Sequence, residues 1–103
     1  MRDGEAKEGA RRMKNELNDE GFMMFMKKPV LLMCMNYYYY GVVDDMQGGL
    51  LILSGTKKGG HPGIVYQTGK WTDASWRRLE ALPAPTWAIR IATIESCGIV
   101  ERS

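Results

Sequence analysis

Apolar residues concentrate in a stretch from Pro29 to Val43 that carries no charge. Neither of its alternations is polar. Val30, Leu32, Cys34, Tyr38, Tyr40 and Val42, with Asn36 among them, share one side of an extended chain. Leu31, Met33, Met35, Tyr37, Tyr39 and Val43 share the other. Tyrosine and valine suit a pleated, packed strand. A strand apolar on both sides is covered twice or lies centrally in its sheet. Fully extended, the stretch would span about 46 Å, well beyond an ordinary strand, so a bend is expected at Asn36 or Gly41.

The flanking segments carry weaker patterns. Ala6, Ala10, Met13 and Leu17 recur at four- and three-residue steps, predicting a helix over residues 5–18 with a narrow apolar stripe. Phe22 to Met26 is apolar throughout and reads as a short strand. Asp44 to Gly49 reads as a turn, rich in Asp and Gly. Leu50 to Leu53 follows as a strand forming a hairpin with the tyrosine run. Ser54 to Gly63 is a polar loop, and Ile64 to Trp71 a third strand completing a meander. A second helix is coded from Thr72. That residue is a good N-cap, Asp73 sits in the first turn, and Trp71 and Trp76 occupy the two positions of a hydrophobic staple. Trp76, Leu79 and Leu82 form its buried stripe, with Arg77, Arg78 and Glu80 outward, and Pro83 and Pro85 end it. Thr86 to Glu95 alternates again as a strand, with Arg90 on its half-exposed side, and Ser96 to Gly98 is a turn.

The expected architecture is therefore α+β, in the order α-β-β-β-β-α-β. An antiparallel meander of four to five strands carries two helices packed on one face. Residues 1–21 form a peripheral helix and lead-in, and residues 22–103 a single domain.

Composition adds bounds. The chain has 103 residues, 45% hydrophobic and 25% charged, with a net charge of +2. That is ordinary globular composition, sufficient for one core. Residues 1–21 hold five Lys/Arg against six Asp/Glu, and the remainder nine against six. A nucleic-acid binder usually shows a larger basic excess. Two cysteines, Cys34 and Cys97, form no disulfide framework. They read as buried free thiols in a reducing, cytoplasmic compartment. No apolar run approaches the roughly 20 residues of a membrane-spanning helix. Lys27 and Lys28 precede an apolar run of about seven residues, too short and too poorly flanked for a convincing leader. Met26 would serve as a start for a shorter chain.

Four groups of residues carry candidate chemistry. Tyr37, Tyr38, Tyr39 and Tyr40, joined by Arg90, would line a pocket for a flat or cationic ligand, or stack bases. One alternate pair should then be exposed. The loop Gly55 to Gly63 is the best anion site, since its glycines free backbone N–H groups and Lys57 and Lys58 bring charge. It does not match a phosphate-binding P-loop, and Gly60-His61-Pro62-Gly63 lacks the helices that flank a KH-type Gly-x-x-Gly loop. Lys70, Arg77 and Arg78, together with Lys57, Lys58 and His61, form a basic set suited to phosphates. His61 is the single histidine, so no multi-histidine metal site exists, and a nucleophilic pair would require Cys97 beside it.

The function expected from these features is a non-enzymatic binding or interaction module that self-associates as a dimer. Two-sided apolar strands exceed what two short helices cover. A tyrosine-lined small-ligand pocket fits the same module. Single-stranded nucleic-acid binding through the tyrosines and basic set is a less favoured alternative, and a small enzyme using His61 and Cys97 a further one. No cofactor, metal or membrane is implied.

Overall fold

The computed structural model describes residues 21–100. The predicted helix over residues 5–18 lies outside them. Among the described residues seven strands form one antiparallel sheet: β1 (Pro29–Cys34), β2 (Tyr37–Gln47), β3 (Leu50–Ser54), β4 (Gly63–Tyr66), β5 (Glu80–Ala81), β6 (Thr86–Arg90) and β7 (Ser96–Ile99). Among the described residues there is one α-helix, α1 (Asp73–Arg77), and two 3₁₀ turns, at Gly21–Phe25 and Ile91–Thr93. The expected pair of helices on one face is thus replaced by a mainly β domain.

The stretch from Pro29 to Val43 is two strands rather than one bent strand. The chain reverses at Met35 and Asn36, and β1 pairs antiparallel with β2, Cys34 opposite Tyr37 and Pro29 opposite Val42. Residues directly opposite in an antiparallel pair share a face. Val30, Leu32 and Cys34 therefore share theirs with Tyr37 and Tyr39, not with Tyr38 and Tyr40 as a continuous strand would require. Asn36 still marks the place. Its carbonyl accepts the Gln67 amide at 2.8 Å.

β2 is the axis of the domain. One of its edges carries β1, which in turn pairs with β7. Its other edge carries β4 along Tyr37 to Tyr40 and β3 along Val42 to Gln47. β3 and β4 are thus two halves of one partner, separated by the loop over residues 55–62, and the expected meander does not form. β5 extends β4, and β6 extends β3. Gly41 sits at the junction, where a Cβ would come within 2.5 Å of the Ser54 carbonyl oxygen and 2.8 Å of Leu53 Cγ.

The main core spans the strands on both edges of β2. Val30, Leu32 and Cys34 of β1, Val43 of β2, Leu51 and Leu53 of β3, Ile89 of β6 and Ile91 form one buried cluster. Strands from both edges of β2 contribute to it. Phe22 and Phe25 close its end. In a 3₁₀ turn residues three apart eclipse, which brings the two rings to 5.6 Å. That spacing explains why Phe22 to Met26 winds into a turn instead of the expected strand.

Two other expectations shift for local reasons. β2 runs on through Asp44–Gln47, and only Gly48 and Gly49 turn, both at positive φ (54° and 81°) as a tight hairpin requires. A register shift between Val43 and Asp45 leaves Asp44 free to take the Lys27 ammonium at 2.7 Å. Ser96 to Gly98, expected to turn, is β7.

The second helix forms where its code is densest and then stops. Trp71 and Trp76 meet edge to face at 5.1 Å, and Ser75 Oγ accepts the Thr72 amide at 3.0 Å. The helix ends at Arg77, short of the expected stripe through Leu82. The outer edge of β4 needs partners. Glu80 and Ala81 pair with Ile64 and Gly63, and the Leu82 amide donates to the Pro62 carbonyl at 2.7 Å. Among the described residues no helix is long and apolar enough to cross a membrane.

Candidate functional site

Tyr38 and Tyr40 point away from the main cluster and are buried. Tyr38 packs on Trp71 at 5.0 Å and Tyr40 on Trp76 at 4.9 Å. A second apolar layer thus lies beneath the segment that carries α1. Gln67 pins that segment. Its Nε2 donates to the Lys70 carbonyl at 2.7 Å and to the Gly69 carbonyl at 3.3 Å. Its Oε1 accepts from Ser75 Oγ at 2.9 Å and from Arg78. Nothing in the periodicity singles out Gln67, whose partners stand up to eleven residues away.

Beside this layer the loop over residues 55–62 folds back on itself. The Gly60 amide donates to the Lys57 carbonyl at 2.8 Å, and Gly59 takes a positive φ of 78°. Gly55 lies against the backbone of Gly60 and His61 more closely than any Cβ would allow. The neck of the loop therefore needs glycine, and the residues between project as a unit. His61 Nδ1 lies 2.8 Å from the Leu82 carbonyl oxygen. A carbonyl only accepts, so Nδ1 carries a proton and donates it to Leu82, which fixes the orientation of the ring.

Together these elements wall a cleft of about 470 Å³. Thr56, Lys57 and His61 stand on the loop side, Leu79, Glu80 and Ala81 on the β5 side, with Tyr40 between them. Leu79 fits against Gly63, where a Cβ would come within 2.6 Å of its Cγ. The cleft has the size of an ordinary small-ligand pocket. It offers two potential cations, one carboxylate and two hydroxyls. Thr56 and Glu80 were not expected here. Glu80 read as the solvent face of a helix, and only the β4–β5 pairing brings it in.

The chain matches no family model, no curated protein and no solved structure.

The structure separates several residues that the sequence grouped. The four tyrosines do not line one pocket. Tyr38 and Tyr40 are buried, and only Tyr40 reaches the cleft. Tyr39 packs partly against the main cluster. Burial, reinforced by neighbouring Cys34 and Tyr37, raises its hydroxyl pKa. Tyr37 and Tyr66 meet edge to face at 5.0 Å, and both are exposed. Arg90 ends β6, on the far side of β3 from the tyrosines, and its carbonyl accepts Thr93 Oγ1 at 2.7 Å.

The basic set divides in the same way. Lys57 and His61 share the cleft. Arg77 and Arg78 line a second one, of about 450 Å³, with Tyr66. Leu79 and Glu80 form the partition between the two. Lys58 is exposed on the loop, and Lys70 lines neither cleft.

His61 and Cys97 are not brought together. β7 is separated from β4 by β1 and β2, about 14 Å at the usual strand spacing. Burial, with Cys34 nearby, pushes the Cys97 thiol up to about 12. The Cys34 thiol is raised too, chiefly by burial. Both cysteines are free. Among the described residues no group of three His, Cys, Asp or Glu side chains is placed to hold a metal ion.

Proposed function

We propose that this chain is a small-ligand-binding module whose site is the cleft between the glycine loop and β5. Its ligand carries an anionic group, a phosphate or carboxylate, placed at Lys57 and His61. One observation carries this assignment: Lys57 and His61 line the same cleft, and the Leu82 carbonyl fixes the orientation of the imidazole. The Lys57 ammonium, and the Nε2–H of the ring when it is protonated, would donate charge-assisted hydrogen bonds to an anion.

Calorimetric titration with inorganic phosphate and with acetate tests it. Binding should weaken roughly tenfold or more in Lys57→Ala, since hydrogen bonds to charged groups contribute about 1.5–3 kcal/mol. No heat with either anion, or equal binding by the variant, contradicts the assignment.

Self-association is a second reading, and one observation favours it. Tyr66 is 65% exposed and Tyr37 39%, side by side near the β1–β2 turn, where Met35 is 71% exposed. Most of the two-sided apolar surface is covered within the chain itself. Sedimentation at micromolar concentration tests what remains: a dimer that Tyr37→Lys dissociates supports it. Nucleic-acid binding has less support, because Tyr38 and Tyr40 are buried and the basic residues divide between two clefts. An enzyme built on His61 and Cys97 has less again, given the strands between them.

A further inference from the structure

The second cleft lies beside a strand edge that β5 leaves open. Alternation along β4 fixes which backbone groups face outward. The Leu82 amide bonds the Pro62 carbonyl on the outer edge, and the Gln67 amide bonds the Asn36 carbonyl on the inner edge. Backbone groups of alternate residues point the same way in a strand. Gly63 and Val65 therefore face β2 with Gln67, while Ile64 and Tyr66 face outward with Pro62. β5 pairs only with Gly63 and Ile64. The outward N–H and C=O of Tyr66 have no partner among the described residues.

The cleft of about 450 Å³ opens at this point, between the end of β4 and the chain leaving α1. Arg77 and Arg78 line it. Arg78 is tied to Gln67, whereas Arg77 is exposed with no ion-pair partner among the described residues. Glu80 is the single carboxylate lining the cleft, and it stands on the partition.

We infer that the open end of β4 takes a short extended segment of an acidic partner peptide. The segment adds as a strand beyond β5, exchanging main-chain hydrogen bonds with Tyr66. Its carboxylates lie toward Arg77 and Arg78. Strand addition supplies main-chain affinity, and side-chain pockets supply selectivity. Charge decides between occupants. A second copy docked edge to edge would bring Arg77 and Arg78 of both copies together, a like-charge contact that costs association. An acidic peptide meets the same groups with opposite charge. The site is separate from the anion cleft, so the two assignments stand or fall independently.

The experiment is an amide-resolved titration of the full chain with a blocked peptide of alternating Glu and Val. A Lys/Val peptide, a Glu/Val peptide methylated on alternate backbone nitrogens, and a short oligothymidylate serve as comparisons. The Glu/Val peptide should shift the Tyr66 amide and slow its hydrogen exchange about tenfold, while the methylated and Lys/Val peptides should not bind. Arg77→Glu should weaken binding about tenfold with the fold unchanged by circular dichroism. Equal binding of the Lys/Val peptide, an unmoved Tyr66 amide, tighter binding of the oligothymidylate, or edge-to-edge dimers in its place would each overturn the inference.

Discussion

The Tyr38 hydroxyl donates to the Gly69 carbonyl oxygen at 2.8 Å, across 31 positions of sequence. It fastens the start of β2 to the segment that carries α1. Tyr38→Phe keeps the ring against Trp71 and loses only this bond, which predicts destabilisation of about 1 kcal/mol. In urea unfolding the midpoint should fall with an unchanged slope. Tyr37→Phe, at an exposed ring, should leave the midpoint in place.

The same tyrosine shows where the sequence is legible and where it is not. A two-sided apolar run points to extended chain in the sheet, though as two paired strands rather than one, and the capping pattern at Thr72 points to the Trp71–Trp76 contact. Parity was lost at Met35 and Asn36. Nothing local distinguishes a tight reversal there from a bend, and a two-residue reversal moves Tyr38 and Tyr40 to the opposite face from Cys34. The cover was equally hidden. It comes from residues of β1, β3 and β6 gathered in one cluster and from Trp71 and Trp76 against Tyr38 and Tyr40, and neither depends on near neighbours in sequence. Lys57 and His61 were visible as a loop with charge. Their partner Glu80 was not, because a five-residue helix gains too few internal bonds to hold Glu80 against the pull of the β4 edge.

Two glycines should respond in opposite directions to alanine. At Gly41 the added methyl meets the Ser54 carbonyl oxygen at 2.5 Å and the Leu53 side chain, neither free to move without disturbing the β2–β3 ladder. Gly41→Ala should cost about 1–3 kcal/mol or more. At Gly98 nothing lies within 4 Å and φ is not positive. Gly98→Ala should be neutral or stabilising by up to about 1 kcal/mol, through reduced freedom of the unfolded chain. Thermal or urea unfolding of both variants checks the pair.

Met35 occupies the β1–β2 turn at a φ of 49°. A residue with a Cβ pays about 1–2 kcal/mol in that region, and glycine does not. The side chain is largely exposed, so little packing is lost on its removal. Met35→Gly should raise stability by up to about 1 kcal/mol, measured as a higher urea midpoint, after glycine's own entropic cost is counted.

Cys97 should leave a signature in alkali. Its folded thiol is raised from an ordinary value of 9.0 to about 12. The unfolded chain therefore releases this proton first. The associated stability is present below pH 9 and is lost as pH rises toward 12. Cys97→Ala should lessen the fall in stability across that window relative to the parent chain. At pH 8 the folded protein should react with iodoacetamide far more slowly than the urea-unfolded chain, because the thiolate is the nucleophile.

The anion cleft is tested most directly by the ring nitrogens of His61, followed by ¹⁵N correlation spectra during addition of inorganic phosphate. Nδ1 should carry a proton, donated to the Leu82 carbonyl, before addition. Phosphate should then shift the Nε2 resonance together with the amides from Thr56 to Gly63, and Lys57→Ala should diminish the response. Ring and loop resonances that stay fixed throughout, or that move equally in the variant, would contradict the assignment of this cleft as the binding site.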